Sequence, residues 1–218
     1  MSDPSAPLIV PSPGEIATDE YEIKRSRFIT WITRADSEEE ARDILALARA
    51  EYSDARHHCS AYIHEVEGSN RVERSSDDGE PSGTAGRPML DVLLGSGMTN
   101  VVAVVVRYFG GIKLGTGGLV RAYSDAVSGC LPKVSKNTRV RRELRSIEVN
   151  PGDAGRVESE LRNRGFDVVD TAWSAQVTHT VAIEPGTTEL LDGALQALSH
   201  GELLSAKAGT RWVELPLR

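Results

Sequence analysis

Apolar and polar positions alternate from Tyr21 to Thr33, with Tyr21, Ile23, Phe28 and Trp31 as anchors and Ile29 and Ile32 between. A period of two predicts strands, and Lys24-Arg25-Ser26-Arg27 predicts a hairpin turn or bulge within them. The pattern then changes to a helical one. Ser37 is placed to cap a helix, Glu40 sits at the capping-box position, and Ile44, Leu45, Leu47 and Ala48 form its apolar face. His58 to Val66 reads as a strand and residues 67–85 as a loop. Pro88 suits the first turn of a helix that Met89, Val92 and Leu93 continue to about Gly95. The apolar run from Val101 predicts a buried strand to Tyr108, and Gly117 to Leu131 a helix that Pro132 ends.

A polar, basic stretch follows at 133–140, with Lys133, Lys136 and Arg139 among Ser135, Asn137 and Thr138. It predicts a linker between two domains, 15–132 and 141–218. Beyond it the elements are a strand over 141–149, a helix over 153–164 closed by Gly165, and strands over 166–172 and 174–183. A helix over 188–198 and a strand over 205–215 complete the series. That order, β-α-β-β-α-β, is the split, ferredoxin-like arrangement. Residues 1–14 hold four prolines and no periodicity, which predicts a disordered tail. His179 and His200 are isolated, and an isolated histidine is more often structural than functional.

At 218 residues the chain is long enough for two domains, and its 39% hydrophobic and 26% charged content is that of a globular protein. No apolar run approaches the ~20 residues of a membrane span. The N-terminus lacks a basic region followed by an apolar core, so a cytoplasmic protein is expected. Cys59 and Cys130 are too few for a disulfide framework and lack metal-finger spacing, so both are expected as reduced thiols. The net charge of −7 argues against non-specific polyanion binding by the whole surface. It is uneven: residues 1–135 carry 14 basic and 20 acidic side chains, a balance of −6, and residues 136–218 carry 11 and 12, a balance of −1.

Local chemistry concentrates between residues 77 and 121. The first loop reads Asp77-Asp78-Gly79-Glu80-Pro81-Ser82-Gly83-Thr84-Ala85-Gly86-Arg87-Pro88. The second runs from Arg107 through Gly110, Gly111, Lys113, Gly115, Thr116, Gly117 and Gly118 to Leu119, with Arg121 following. No acidic residue occurs from Val92 to Ser124. A buried strand ending in a glycine loop of positive charge, opening into a helix N-terminus, is a place for an anion such as phosphate. Thr116 is placed to cap that helix, and Arg107, Lys113 and Arg121 are expected to converge near its start. The mechanical alternative is that the glycines only permit a tight turn while Arg107 pairs with Asp78 or Glu80. The spacing matches neither a P-loop nor Gly-x-Gly-x-x-Gly. In the first loop, Asp77, Asp78 and Glu80 either hold a cation or act as acid and base, or they make an Asp-Gly turn and neutralise arginines such as Arg87. The turn is favoured, and no metal or cofactor is expected. His57, His58 and Cys59 are consecutive in a strand, so they cannot all face one metal.

These two loops, with Val105-Val106-Arg107-Tyr108-Phe109-Gly110-Gly111 and Gly115 to Tyr123, resemble the signatures of the YigZ/IMPACT family. The resemblance covers about residues 15–131, and residues 140–216 resemble the C-terminal domain of bacterial members. It implies an α+β protein. Its first domain would be like domain two of ribosomal protein S-five, and its second would be ferredoxin-like, as in domain five of elongation factor G. It also implies a role linked to translation or RNA. Eukaryotic members regulate initiation through an additional N-terminal domain, whose place is taken here by a short Pro-rich tail. Two functions remain open. One is a non-enzymatic regulator that contacts RNA, the ribosome or a translation partner through the basic glycine loop. The other is a nucleotide-binding enzyme whose glycine loop holds phosphates as in small-molecule kinases of the same fold. The acidic chain and its 5% aromatic content weigh against the first; the lack of a clear base weighs against the second. No catalytic residue is assigned, and the oligomeric state is not legible.

Overall fold

The structure is a computed structural model that describes residues 6–217. The chain divides into two compact units, one built on residues 8–138 and one on residues 139–215.

The first unit contains strands β1 (Leu8–Pro11), β2 (Ile16–Ile23), β3 (Ser26–Arg34), β4 (His57–His64), β5 (Val72–Ser76) and β6 (Val101–Tyr108). Its helices are α1 (Glu38–Glu51), α2 (Gly86–Gly95) and α3 (Thr116–Cys130). The sheet order is β2-β3-β6-β4-β5, each neighbouring pair antiparallel. Strand β6 lies in the middle and is buried on both faces, which is why it reads as a continuous apolar run. Val101, Ala103 and Val105 face α2 and α3 with Phe28, Ile32 and Ile63. Val102, Val104 and Val106 face α1 with Ile29 and Trp31. Full burial of one Val or Ile side chain contributes about 1.5–3 kcal/mol, so this strand anchors both layers.

Helix α1 starts as the sequence predicts. Ser37 Oγ accepts from Glu40 N at 3.2 Å. Glu40 reaches one residue further back than the capping box requires, accepting from Asp36 N at 2.6 Å. Between β2 and β3 the chain reverses at Lys24 (φ 47°) and Arg25 (φ 65°). Two left-handed residues make the hairpin turn whose twist matches that of the strands.

The second unit holds most of β7 (Lys136–Val149), then α4 (Ala154–Asn163), β8 (Asp167–Trp173), β9 (Val177–Ile183), α5 (Thr188–Ser199) and β10 (Ser205–Pro216). Its strands lie in the order β10-β7-β9-β8, so the split βαββαβ arrangement forms. Ile147, Val149, Val168, Val181 and Ile183 pack against Val157, Leu161, Leu191 and Leu195 of the two helices. His179 is fully buried, with Nε2 3.1 Å from Ala154 O and Nδ1 3.0 Å from Thr171 Oγ1. Both ring nitrogens serve the fold.

Three expectations need correction. Residues 1–5 of the expected disordered tail lie outside the described residues, but Leu8–Pro11 form a strand that buries Val10 completely and pairs with β7. The expected loop over 67–85 contains β5, an edge strand paired to β4 from Ser60↔Ser76 to His64↔Val72. The expected linker over 133–140 is half strand, since β7 begins at Lys136. In each case a neighbouring strand supplies backbone partners that weak apolar periodicity did not announce. Among the described residues no helix is long and apolar enough to cross a membrane.

Candidate functional site

The first glycine loop folds around its own carboxylates. Asp77 accepts from Gly83 N at 2.8 Å, Ala85 N at 3.0 Å and Gly86 N at 2.8 Å. Gly86 opens α2, so a carboxylate of the chain itself fills the anion position at that helix start. Partial burial pushes the Asp77 carboxyl up, but the three N–H donors outweigh it and hold the group below its ordinary range. Asp78 (φ 42°) and Gly79 (φ 84°) form the turn. The Asp78 carboxylate takes Arg49 at 2.7 Å and His58 N at 2.6 Å, and its carbonyl lies 2.8 Å from His57 Nδ1.

Beneath this loop lies a buried polar chain. Arg107 Nη1 donates to Glu80 Oε1 at 2.6 Å, with side chains only 8% and 3% exposed. Tyr123 on α3 donates to the same oxygen at 2.8 Å. Cys59 Sγ lies 3.3 Å from Tyr123 Oη and 3.1 Å from Asp77 O. Burial pushes the Cys59 thiol up to about 12, so it stays protonated and unreactive at neutral pH. A buried carboxylate and guanidinium in contact are each the other's main compensation for lost water. Of the charges expected to form an anion site, Arg107 is therefore committed to Glu80. Its Nε is buried without a hydrogen-bond partner, and the guanidinium carbon lies 5.5 Å from the centre of the Phe28 ring and 5.7 Å from that of Phe109.

The second loop is open. Gly111, Ile112, Lys113, Gly115, Thr116 and Gly117 are exposed, Gly110 and Gly118 half-buried. Helix α3 begins at Thr116, one residue earlier than expected. Its N-cap is Gly115 (φ 75°), with no side-chain cap bond and no acidic residue in the first turn. The expected capping by Thr116 gives way because that residue is already helical. The start of α3 thus presents N–H groups that no carboxylate covers among the described residues, unlike the start of α2. Lys113 has no hydrogen bond or ion pair among the described residues. Arg121, four residues beyond Gly117 and on the same exposed helical face, is 82% exposed and only loosely paired with Asp125 at 3.5 Å. Arg87, assigned to the supporting loop, pairs along α2 with Asp91 at 2.8 Å.

The sequence predicts the turn between β2 and β3 but not its contact with this loop. A Cβ added to Gly110 would lie 2.0 Å from the carbonyl carbon of Arg25, so only glycine allows the loop to rest on the β2–β3 turn. Gly110 N also donates to Ser26 Oγ at 3.2 Å. Lys24 and Arg25, read only as turn residues, are exposed beside the loop. Four basic or hydroxylic residues in a row, Lys24 to Arg27, were the signal available. Among the described residues no group of three or more His, Cys, Asp or Glu could hold a metal ion.

Comparison with known proteins agrees with this architecture. The Impact N-terminal domain matches residues 24–131, and a domain of unknown function, DUF1949, matches residues 147–202. An IMPACT family member of Haemophilus influenzae is 37% identical over 192 residues, covering 88% of this chain and 93% of that protein. The Escherichia coli member YigZ is 37% identical over 191 residues, 88% and 94% of the two chains. The Bacillus subtilis member YvyE is likewise 37% identical, with 86% of each chain covered. A crystal structure described only as that of a hypothetical protein superposes with a TM-score of 0.63 at 35% identity, covering 93% of this chain and 97% of that one. Identity at this level along nearly the whole length, with both domains matched in order, means that the chain belongs to the IMPACT family.

Proposed function

We propose that this protein acts in translation by contacting RNA, free or within the ribosome, through the open glycine loop and the start of α3. The observation that carries the reading is the contrast at the two helix starts. Helix α2 is closed by Asp77, while α3 begins with uncovered N–H groups beside Lys113 and Arg121. An uncovered helix start with nearby cations attracts phosphate oxygens. The exposure of residues 111–113 and 115–117 favours an extended polyanion lying across the surface over a small molecule enclosed by it. Family membership supports the link to translation, because the resemblance of its signatures implies that role.

The test is an RNA titration at two salt concentrations with wild type, Lys113→Ala and Arg121→Ala. Each lost phosphate contact lowers the slope of log affinity against log salt by roughly 0.7–0.9. Equal affinities and slopes in all three proteins, with folding intact, would remove the loop from RNA recognition. The nucleotide-binding alternative uses the same N–H groups. It predicts a thermal shift with a nucleoside triphosphate that requires Mg²⁺ and depends little on salt.

A further inference from the structure

Phe109 is an exposed aromatic at the start of the loop, directly after β6, and its surroundings suit one class of ligand. The ring is 56% exposed. The Arg107 guanidinium sits over it with 5.7 Å between its central carbon and the ring centroid, fixed from behind by Glu80 at 2.6 Å. One ring face thus rests on a buried cation, and the exposed part of the ring faces solvent. Cation–π contact and burial of the guanidinium hold the ring in place, so little ordering entropy is lost when a planar group stacks on it.

Around the ring stand cations that the fold does not consume. The Gly110–Arg25 contact brings the β2–β3 turn, with its exposed Lys24 and Arg25, to the residue that follows Phe109. Lys113, three residues beyond Gly110, is within about 10 Å of it by chain reach. None of the three has a side-chain partner among the described residues. The nearby carboxylates are engaged or set apart. Glu20 pairs with Arg27, Asp54 takes Tyr108 Oη at 2.6 Å, and Asp125 lies against Arg121. Glu22 is opposite Arg27 in the strand register. Tyr108 packs in the α1 layer, whereas Arg107, one residue earlier, bonds Glu80 beneath the α2–α3 layer, so strand alternation separates Glu20, Glu22 and Asp54 from the platform; Asp125, on α3, is set against Arg121.

We infer that this surface takes single-stranded nucleic acid, with Phe109 stacking an unpaired base while Lys24, Arg25 and Lys113 contact the flanking phosphates. The inference rests on the RNA reading above and narrows it. A duplex hides the faces of its bases within its stack, so only a single strand can use both the ring and the cations. Two exposed neighbours, Ile112 and Val120, extend the apolar surface on which sugars could lie.

The test compares an oligo(A) of about 12 nucleotides, within the range of single-strand site sizes, with the same strand paired to oligo(U). The proteins are wild type, Phe109→Leu, Phe109→Tyr and Lys24→Asn/Arg25→Asn; asparagine tolerates the left-handed backbone that this turn requires. The wild type is expected to prefer the single strand. Phe109→Leu is expected to lose roughly five- to a hundredfold in single-strand affinity, with Phe109→Tyr retaining it. The double asparagine variant is expected to flatten the single-strand salt slope by about 1.4, two contacts at ~0.7 each. Equal binding of both forms, with Phe109→Leu unchanged while Lys113→Ala still flattens the slope, overturns the stacking inference and leaves the RNA reading standing. Absence of binding to either form at low salt overturns both.

Discussion

Two glycine-rich loops lead into helices of the same unit, and they have opposite electrostatic fates. The loop before α2 carries Asp77, which turns back and fills the helix start with a carboxylate. The loop before α3 carries no acid, and its helix, capped by Gly115, has no carboxylate in that position among the described residues. The first loop meets its helix start with its own carboxylate; the second does not. Glycine richness therefore marks where the backbone must turn or pass closely, while the presence of an internal anion decides whether a helix start is left open.

If this contrast is right, variants of the first loop lose stability and variants of the second lose binding. The largest effect is expected for Glu80→Ala, which strands Arg107 as an unpaired buried charge. Unfolding in urea should show a loss of about 3–5 kcal/mol. A loss below about 1 kcal/mol would mean that water reaches Arg107 and that the first loop is not its support.

Asp77→Ala comes next, at about 1.5–3 kcal/mol, because three N–H groups lose a charged acceptor. The pH dependence has a definite sign. The folded-state pKa of Asp77 is lowered, so its contribution is whole above the ordinary aspartate value of about 3.9 and fades as pH falls through the lower folded value. Wild type and variant should therefore differ by a constant amount above about pH 5 and converge in stronger acid. Sulfate should stabilise the variant more than the wild type, since the vacated position at α2 would then resemble the one at α3. Equal stabilisation of both proteins would break the comparison.

A smaller effect is expected for Gly115→Ala, where a side chain must adopt φ near 75°, at about 1–2 kcal/mol. Space is not the obstacle, because no atom lies within 4 Å of the added Cβ. Asparagine at the same position should therefore recover part of the loss in a thermal melt. The smallest change in stability is expected for Lys113→Ala, within ~0.5 kcal/mol, because an exposed unpaired side chain leaves nothing unsatisfied. Its effect should appear in the salt dependence of RNA binding instead. A large loss of stability with unchanged binding would place Lys113 in the architecture and erase the difference between the loops.

Much of the frame was legible from local pattern. The apolar run at 101–106 announced a buried central strand, Ser37 a helix start, and the order of periods after residue 140 the βαββαβ unit. Strand β5 was not legible, because Val72-Glu73-Arg74-Ser75-Ser76 is polar and held by pairing to β4 at the sheet edge. Strand β1 was hidden by the prolines around it. For the site, the sequence located the loop and its freedom from acid but could not partition its cations. Arg107 and Lys113 are six residues apart and chemically alike in sequence. In space one is buried against Glu80, from 27 residues earlier, and the other is exposed.

The sequence by itself determined most of the helices and strands, though not β1, β5 or the start of β7, because hydrophobic period and capping residues act within a few positions of one another. It also determined that one glycine loop carries acids and the other does not. Only the tertiary structure decided what those charges do. It brought Glu80 to Arg107, Asp77 to the start of α2, and the Lys24-Arg25 turn to Gly110. Hydrogen bonds and ion pairs act over a few ångströms of space whatever the separation along the chain. Which cation is spent inside and which remains exposed is settled only when the sheet closes.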